Sequence, residues 1–315
     1  MEQNAHVLIP GGAGYIGSIV TERLLAAGYR VTVLDNLWYQ QRSLLHLASH
    51  PLFDFAFGDM RDRELMRSLL KTADVVIPLA AIVGAPACDR DPELARSLNL
   101  DAVRTLLSLR SPEQLVIFPA TDSGYVMRPG ETLITEDSLF EPKSLYARLK
   151  AEAEAEVLKT PNAVSLRLAT LFGVSPRMRL DLLVNHFVHA ALNDGYLVVF
   201  EKSFKRQFVH VRDVAEAFLF TVQNGSRMAG KAHNVGSAPA NISKEELAYA
   251  IKKHLPDLFI HFADVREDPD KRNFTVSYER LRLLGFQAGR SLDYGIRELI
   301  KAYRMMRGPS LIRNA

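Results

Sequence analysis

The residues best placed by type and spacing to move a proton are Tyr146 and Lys150. They stand in Tyr146-Ala147-Arg148-Leu149-Lys150, on a predicted helix that runs on through Ala151-Glu156. Four-residue spacing sets the phenol and the ammonium on one helix face. A nearby cation favours the phenolate and draws a reference pKa of about 10 towards neutrality, each unit being roughly 1.4 kcal/mol. Such a phenol can accept the proton of a hydroxyl while hydride leaves the same carbon. The spacing alone is weak evidence, because Tyr249-Ala250-Ile251-Lys252-Lys253 repeats it in an ordinary amphipathic pattern. Position separates the two, since Tyr146 follows a strand predicted to end at Pro119. Beyond that end lies the polar cluster Pro119-Ala120-Thr121-Asp122-Ser123-Gly124-Tyr125, at the edge where open parallel sheets bind ligands. Thr121 is placed to hydrogen-bond a reacting oxygen, although the same residue types also build plain loops.

The elements that must position these groups start with Pro10-Gly11-Gly12-Ala13-Gly14-Tyr15-Ile16-Gly17. It follows the apolar run Ala5-Ile9 and opens an amphipathic helical pattern, Tyr15-Ala27. Strand, glycine turn, helix is the context of a dinucleotide fingerprint. Gly11 permits the tight turn, Gly14 lets a pyrophosphate approach the main chain, and Gly17 lets helix and strand pack closely. The N–H groups at the helix start then face the phosphates. A second strand, Arg30-Leu34, ends in Asp35, an acid suited to a ribose 2′-hydroxyl and repellent to a 2′-phosphate. This favours NAD over NADP.

Further strands are predicted at Asp54-Phe57, Asp74-Pro78, Gln114-Pro119 and Ala163-Arg167, with helices at Arg61-Leu70 and Pro92-Leu109. Asp91-Pro92-Glu93 is a good opening for the second helix. Alternating strands and helices predict an α/β, Rossmann-type doubly wound parallel sheet over residues 1–176. From about Arg177 the rhythm changes. Short strands (Leu197-Phe200, Gln207-His210, Ala232-Val235, Phe259-Ala263) mix with helices Val211-Gln223, Ser243-His254 and Asp293-Met306, and Ser243-Lys244-Glu245-Glu246 is a capping box. Residues 177–307 are read as a mainly substrate-binding α/β domain with segments returning to the first, and 308–315 as a tail. The 315 residues carry a net charge of +3, too small and dispersed to argue for nucleic acid. The sole cysteine, Cys88, excludes an intrachain disulfide framework and a cysteine-cluster metal site. No apolar run approaches the roughly 18 residues of a membrane span, and Met1-Glu2-Gln3-Asn4 lacks signal-peptide character, so the expected location is the cytoplasm.

With these residues in view, the chain resembles the extended short-chain dehydrogenases/reductases acting on nucleotide sugars. The resemblance rests on Gly11-Gly17, Asp35-Asn36-Leu37, Gly58-Asp59-Met60, Leu79-Ala80-Ala81, Asn99, Thr121, Tyr146 with Lys150, Arg206-Gln207-Phe208-Val209-His210-Val211-Arg212-Asp213, and Arg272. It implies that Tyr146 is the base for hydroxyl oxidation, Lys150 holds the nicotinamide ribose and tunes Tyr146, and Thr121 orients the sugar. Gly11, Gly14, Tyr15, Ile16 and Gly17 would bind the NAD pyrophosphate. Asp35 and Asn36 would take the adenosine ribose, Asp59 and Met60 the adenine edge, and Leu79, Ala80, Ala81 and Asn99 the cofactor strand end. Arg206 and Arg272 would bind the substrate diphosphate, as suits a guanidinium fork. Arg177 and Arg179 are assigned to the same anion. Val83, Asp122, Ser123, Thr170 and Asn185 complete the candidate substrate residues.

The family's 4,6-dehydratases resemble Thr-Asp-Glu where this chain has Thr121-Asp122-Ser123. A serine without an adjacent base is a poor proton acceptor, which argues against dehydration. Epimerisation at C4 stays open. Three segments (Ile77-Pro86, Ser175-Asn185 and Glu267-Arg272) resemble a narrower group of bacterial enzymes that oxidise GDP-manno-heptose at C4 for capsular polysaccharide, in which position 122 is asparagine. The expected partner is therefore a nucleotide sugar, with a GDP-sugar favoured and no nucleic acid or membrane. Related enzymes pair through two helices, here Pro92-Leu109 and Ser144-Leu158, which predicts a homodimer or higher homo-oligomer. A binding protein that only kept the fold would be expected to have lost Tyr146, Lys150 or the glycine turn, and all are present.

Overall fold

Alternation within one short strand sets the layers. In β1 (His6–Pro10) Val7 and Ile9 face one hydrophobic cluster and Leu8 the other, so both sides of the strand are buried. The computed structural model describes residues 5–128, 131–263 and 274–306. After β1 come α1 (Tyr15–Ala26), β2 (Arg30–Asp35), β3 (Phe53–Phe57), α2 (Arg63–Leu70), β4 (Val75–Val76), α3 (Ala85–Arg90), α4 (Pro92–Arg96), α5 (Ala102–Leu109), β5 (Leu115–Thr121), α6 (Leu145–Leu158) and β6 (Ala163–Leu168). The chain continues through β7 (Thr170–Phe172), α7 (Leu183–Asn193), β8 (Tyr196–Phe200), β9 (Lys205–His210), α8 (Val211–Met228), β10 (Ala232–Val235), β11 (Asn241–Ser243), α9 (Lys244–Lys252), β12 (Phe259–Ala263), α10 (Glu279–Leu283) and α11 (Leu292–Met305).

Seven parallel strands form the main sheet in the order β10-β6-β5-β4-β1-β2-β3. The order reverses between β1 and β4, the point at which such sheets open a crevice for ligands. One face is covered by α1 and α8, the other by α2, α5 and α6. The remaining elements form a smaller unit with a three-stranded sheet (β11-β9-β7), a parallel pair (β12-β8) and a core that includes Phe172, Val188, Phe208, Leu247 and Ile296.

Elements α3, β7, α7, β11 and α10 were not expected, and three expected elements differ in form or place. The helix expected over 92–109 is interrupted by a π turn at Ser97–Asp101, where Asn99 is turned inward to bond the main chain of Ile82. Helix α1 is buried on most of its circumference rather than amphipathic, because α8 lies against it. Strand Ala232–Val235, expected with the smaller unit, pairs with β6 at the edge of the large sheet. The expected substrate residue Arg272, the segment 267–272 and the tail 308–315 lie outside the described residues.

The turn after β1 is where sterics are tightest. Gly11 has φ +82°, and a Cβ there would stand 2.3 Å from the Ala80 nitrogen. Gly11→Ala therefore carries left-handed strain, of order 1–3 kcal/mol, and pushes the segment after β4 out of place. The expected result is a lowered Tm and loss of dinucleotide binding in a fluorescence titration; wild-type affinity would show that no dinucleotide meets this turn.

Candidate active site

The crevice between β1 and β4 fits a dinucleotide on three counts. Gly11 and Ala80 form a wall of bare main chain, with Leu79 and Ala80 both donating to the Pro10 carbonyl at 2.7 and 2.8 Å. Helix α1 starts at Gly14 with no side-chain cap, which leaves its first-turn N–H groups open to an anion. Gly17 packs so closely on the turn that a Cβ would lie 2.5 Å from the Gly12 Cα. Asp35 ends β2 at the rim. Burial raises its pKa, against the bonds from Leu37 N–H (2.8 Å), Ala13 N–H (3.0 Å) and Gln41 (3.2 Å). Asn36 donates to Asp59 at 3.2 Å. Bonds from Arg61 hold the Asp59 carboxyl below the usual range.

Several expected cofactor and substrate residues reach the site by main chain or through a neighbour, not by their own side chains. Met60 is 2% exposed, its apolar thioether packed in the core beneath the sheet, so only its backbone is available to an adenine edge. Asn99, 1% exposed, accepts from Ile82 N–H and donates to Ile82 C=O, both at 2.8 Å. Through these bonds it fixes the chain between Ala81 and the exposed Val83. The Tyr15 phenol donates to Gly173 C=O at 2.7 Å, and burial pushes its pKa far up. Asn185 is fully buried, accepting from Gly173 N–H (3.0 Å) and donating to Arg179 C=O (2.9 Å). Ile16 stands in the same first turn of α1.

The candidate proton-transfer pair, Tyr146 and Lys150, stands on α6, which packs against β5. Ser144 caps α6, its Oγ accepting from Ala147 N–H, so Tyr146 stands half-buried in the first turn. One turn on, Lys150 is 4% exposed with its Nζ 4.0 Å from the Phe118 ring centre. Burial draws its pKa down to about 7, opposed by Glu154 another turn along. Glu154 is itself engaged by Arg167 (Nη2 at 2.9 Å) and by Ser165 Oγ at 2.5 Å. Thr121, at the last position of β5, pairs its hydroxyl with Ser123 at 2.8 Å. Asp122 is 3% exposed and close enough to Tyr278 to help raise that phenol's pKa, after burial. The look-alike Tyr249 is half exposed on α9, its ring 6.0 Å from Phe262 of β12 and outside the large sheet.

A strap of residues 173–181 joins the two units. Ser175 Oγ donates to the Tyr15 carbonyl at 2.7 Å and lies 3.0 Å from Ser18 Oγ. Arg179 pairs with Asp181; burial works against its charge, and Asp181, with the Tyr146 and Tyr15 phenols facing it, more than offsets that. Arg177, expected on the substrate anion, packs on the loop after β2. Its guanidinium lies 4.3 Å over the exposed Tyr39 ring and within electrostatic reach of Asp35, on the adenosine-ribose side. A planar cation stacks readily on an aromatic face. Arg206 is buried on β9 opposite Ile242, and Thr170 is half-buried on β7 opposite Phe208. Ser175, Glu154 and Arg167 escaped the sequence reading. Only Glu154 carried a signal, as the third member of a four-residue ladder with Tyr146 and Lys150.

The buried lysine has a consequence for stability. The unfolded chain keeps an ordinary lysine value of 10.5, against about 7 in the fold. The unfolded state thus binds the extra proton between those values, and stability rises with pH across that window. NAD-free Lys150→Met should unfold at a higher temperature than the parent at pH 6, with the gap closing towards pH 10. Thermal unfolding over a pH series checks this; a gap independent of pH would mean an unperturbed lysine.

Among the described residues no helix is long and apolar enough to cross a membrane, and no group of three His, Cys, Asp or Glu side chains is placed for a metal. The chain is 28% identical over 309 residues to the low-salt glycan biosynthesis protein Agl12 of Haloferax volcanii, covering 94% of this chain and 98% of that one. It is 24% identical over 318 residues to a UDP-glucose 4-epimerase of Yersinia pestis, covering 91% and 94%. Its fold matches a UDP-glucuronic acid 4-epimerase from Bacillus cereus in complex with UDP-glucuronic acid and NAD (TM-score 0.85, 22% identity, 96% and 99% covered). It also matches a dTDP-glucose 4,6-dehydratase from Bacillus anthracis in complex with NAD (TM-score 0.82, 21% identity, 96% and 97% covered). A sequence profile of the NAD dependent epimerase/dehydratase family spans residues 7–236, and the chain belongs to that family of NAD-dependent enzymes.

Proposed function

We propose that this enzyme oxidises the C4 hydroxyl of a nucleotide sugar, a GDP-heptose being the favoured substrate, to a 4-keto sugar. Tyr146 removes the hydroxyl proton, and Thr121 holds the reacting oxygen from the end of β5. Below its pKa of about 7 Lys150 supplies positive charge behind the phenol, and Arg179 supplies it in front throughout. NAD, held by the turn after β1 and by Asp35, would supply the acceptor for the C4 hydride. Arg179 and Arg206, with Arg272, bind the diphosphate, while Arg177 steadies the cofactor's ribose side.

The observation that carries this reading is the Thr121–Ser123 hydroxyl pair at 2.8 Å. Ser123 of that pair stands where the resemblance gives the dehydratases a glutamate that takes the C5 proton, and a hydroxyl without an adjacent base accepts that proton poorly. Oxidation therefore stops at, or turns around on, the 4-keto sugar. A 4-epimerase is the second reading, favoured by the relatives of that name.

Incubation with GDP-heptose is expected to give reduced nicotinamide and a keto product trapped by hydroxylamine. Recovery of only the C4-inverted sugar would establish epimerisation, and a 6-deoxy-4-keto product would show that Asp122 suffices for dehydration. Tyr146→Phe should lower kcat by about 10²–10⁴-fold, the usual contribution of a general base, with NAD affinity unchanged. Undiminished turnover would remove Tyr146 from the mechanism.

A further inference from the structure

His210 and Glu298 lie outside the proposed chemistry, yet both are spent on the strap. His210 ends β9 and is completely buried. Its Nδ1 accepts the Arg212 N–H at 3.2 Å, capping α8. That bond leaves Nδ1 without a proton, so the ring proton is on Nε2 and donates to Glu298 Oε2 at 2.8 Å. The same Glu298 oxygen accepts the Val174 N–H at 2.9 Å, and its other oxygen faces Arg212 at 3.5 Å. Burial works against the Glu298 charge, but the bonds from His210 and Val174, together with the charge of Arg212, keep the carboxyl below its usual range. The fit at this point is close. Gly173 has φ +110°, and a Cβ there would meet His210 Nε2 at 2.4 Å.

The strap held this way carries Arg177 and Arg179 and is bonded on its other side to Tyr15 and Ser18 of α1. Its root has only two side-chain anchors on the smaller unit among the described residues, Asn185 on Gly173 and Glu298 on Val174. We infer that Glu298, oriented by His210, is a positioning residue for nucleotide-sugar binding: it sets the strap so that Arg179 faces the substrate anion beside Tyr146. A carboxylate fits this task because one oxygen accepts two N–H groups at once. The inference rests on the proposed function only for the identity of the ligand; the placement of the strap is independent of it.

The test compares Glu298→Ala with Glu298→Gln in the NAD-loaded enzyme. The glutamine keeps an oxygen that can accept from Val174 and His210, whereas alanine keeps none. Glu298→Ala should raise KM for the nucleotide sugar about tenfold, leave kcat within about threefold and leave the pH profile of kcat in place. Glu298→Gln should return KM to within about threefold of the parent. Hydrogen exchange at residues 173–175 should accelerate in the alanine variant alone. If Glu298→Ala fails to fold, Glu298→Asp, which withdraws the carboxylate by one methylene, serves in its place. An unchanged KM and unchanged exchange, with only a lower Tm, would reduce the pair to a structural role and overturn the inference. A parent enzyme inactive on all nucleotide sugars would sink the proposed function, while the exchange measurement would still decide the placement of the strap.

Discussion

The carbonyl of Pro10 accepts two N–H groups, from Leu79 and Ala80, and that shared acceptor ties the ends of β1 and β4 together where the sheet order reverses. Everything chemical in this chain is laid out from that knot. With the strand ends held together, any side chain at Gly11 collides with main chain, so the turn is bare backbone and α1 begins with unsatisfied N–H groups. A negatively charged, extended ligand is the natural complement to such a surface. The neighbouring strands then fix what flanks it, with Asp35 at the end of β2 and Thr121 at the end of β5.

The second constraint is the burial of charge behind Tyr146. Lys150 lies against Phe118 with little water, and its nearest compensating carboxylate, Glu154, is already held by Arg167 and Ser165. Arg167 in turn donates to the Tyr125 hydroxyl (2.9 Å) and the Glu136 carbonyl (3.1 Å). A buried ion pair contributes little net stability unless its remaining donors and acceptors are satisfied. Here they are, and the result is orientation. The back of α6 is bolted to β6, while its first turn carries the phenol.

Much of this was legible because it is local. A glycine turn between an apolar run and a helix, an acid after the next strand, and a four-residue Tyr–Lys ladder are patterns within about 30 residues, although the ladder needed its place after a strand to be told from the copy at Tyr249. What stayed hidden depends on pairings across the chain. Nothing near Ser175 announces that it bonds Tyr15, and nothing near Val174 announces Glu298. Asn99 and Asn185 read as ligand-facing amides, yet each satisfies buried main chain, the commonest duty of an interior amide. Arg177 was assigned to an anion by its charge, and nothing near it in sequence announced its stacking on Tyr39. The π turn at 97–101 was invisible because its cause, the Ile82 main chain, lies outside the helix.

The pairing of β10 with β6 has a consequence for modularity. The edge of the large sheet is closed by a strand made only after the chain has left that sheet and returned, and α8, from the same excursion, covers α1. A fragment cut near residue 176 would leave the hydrogen-bonding edge of β6 unmet and a buried face of α1 in water, an invitation to association. The nucleotide-binding half is thus not a detachable cassette: during synthesis it waits for its last strand, and it can be neither grafted nor swapped without carrying residues 211–235 with it.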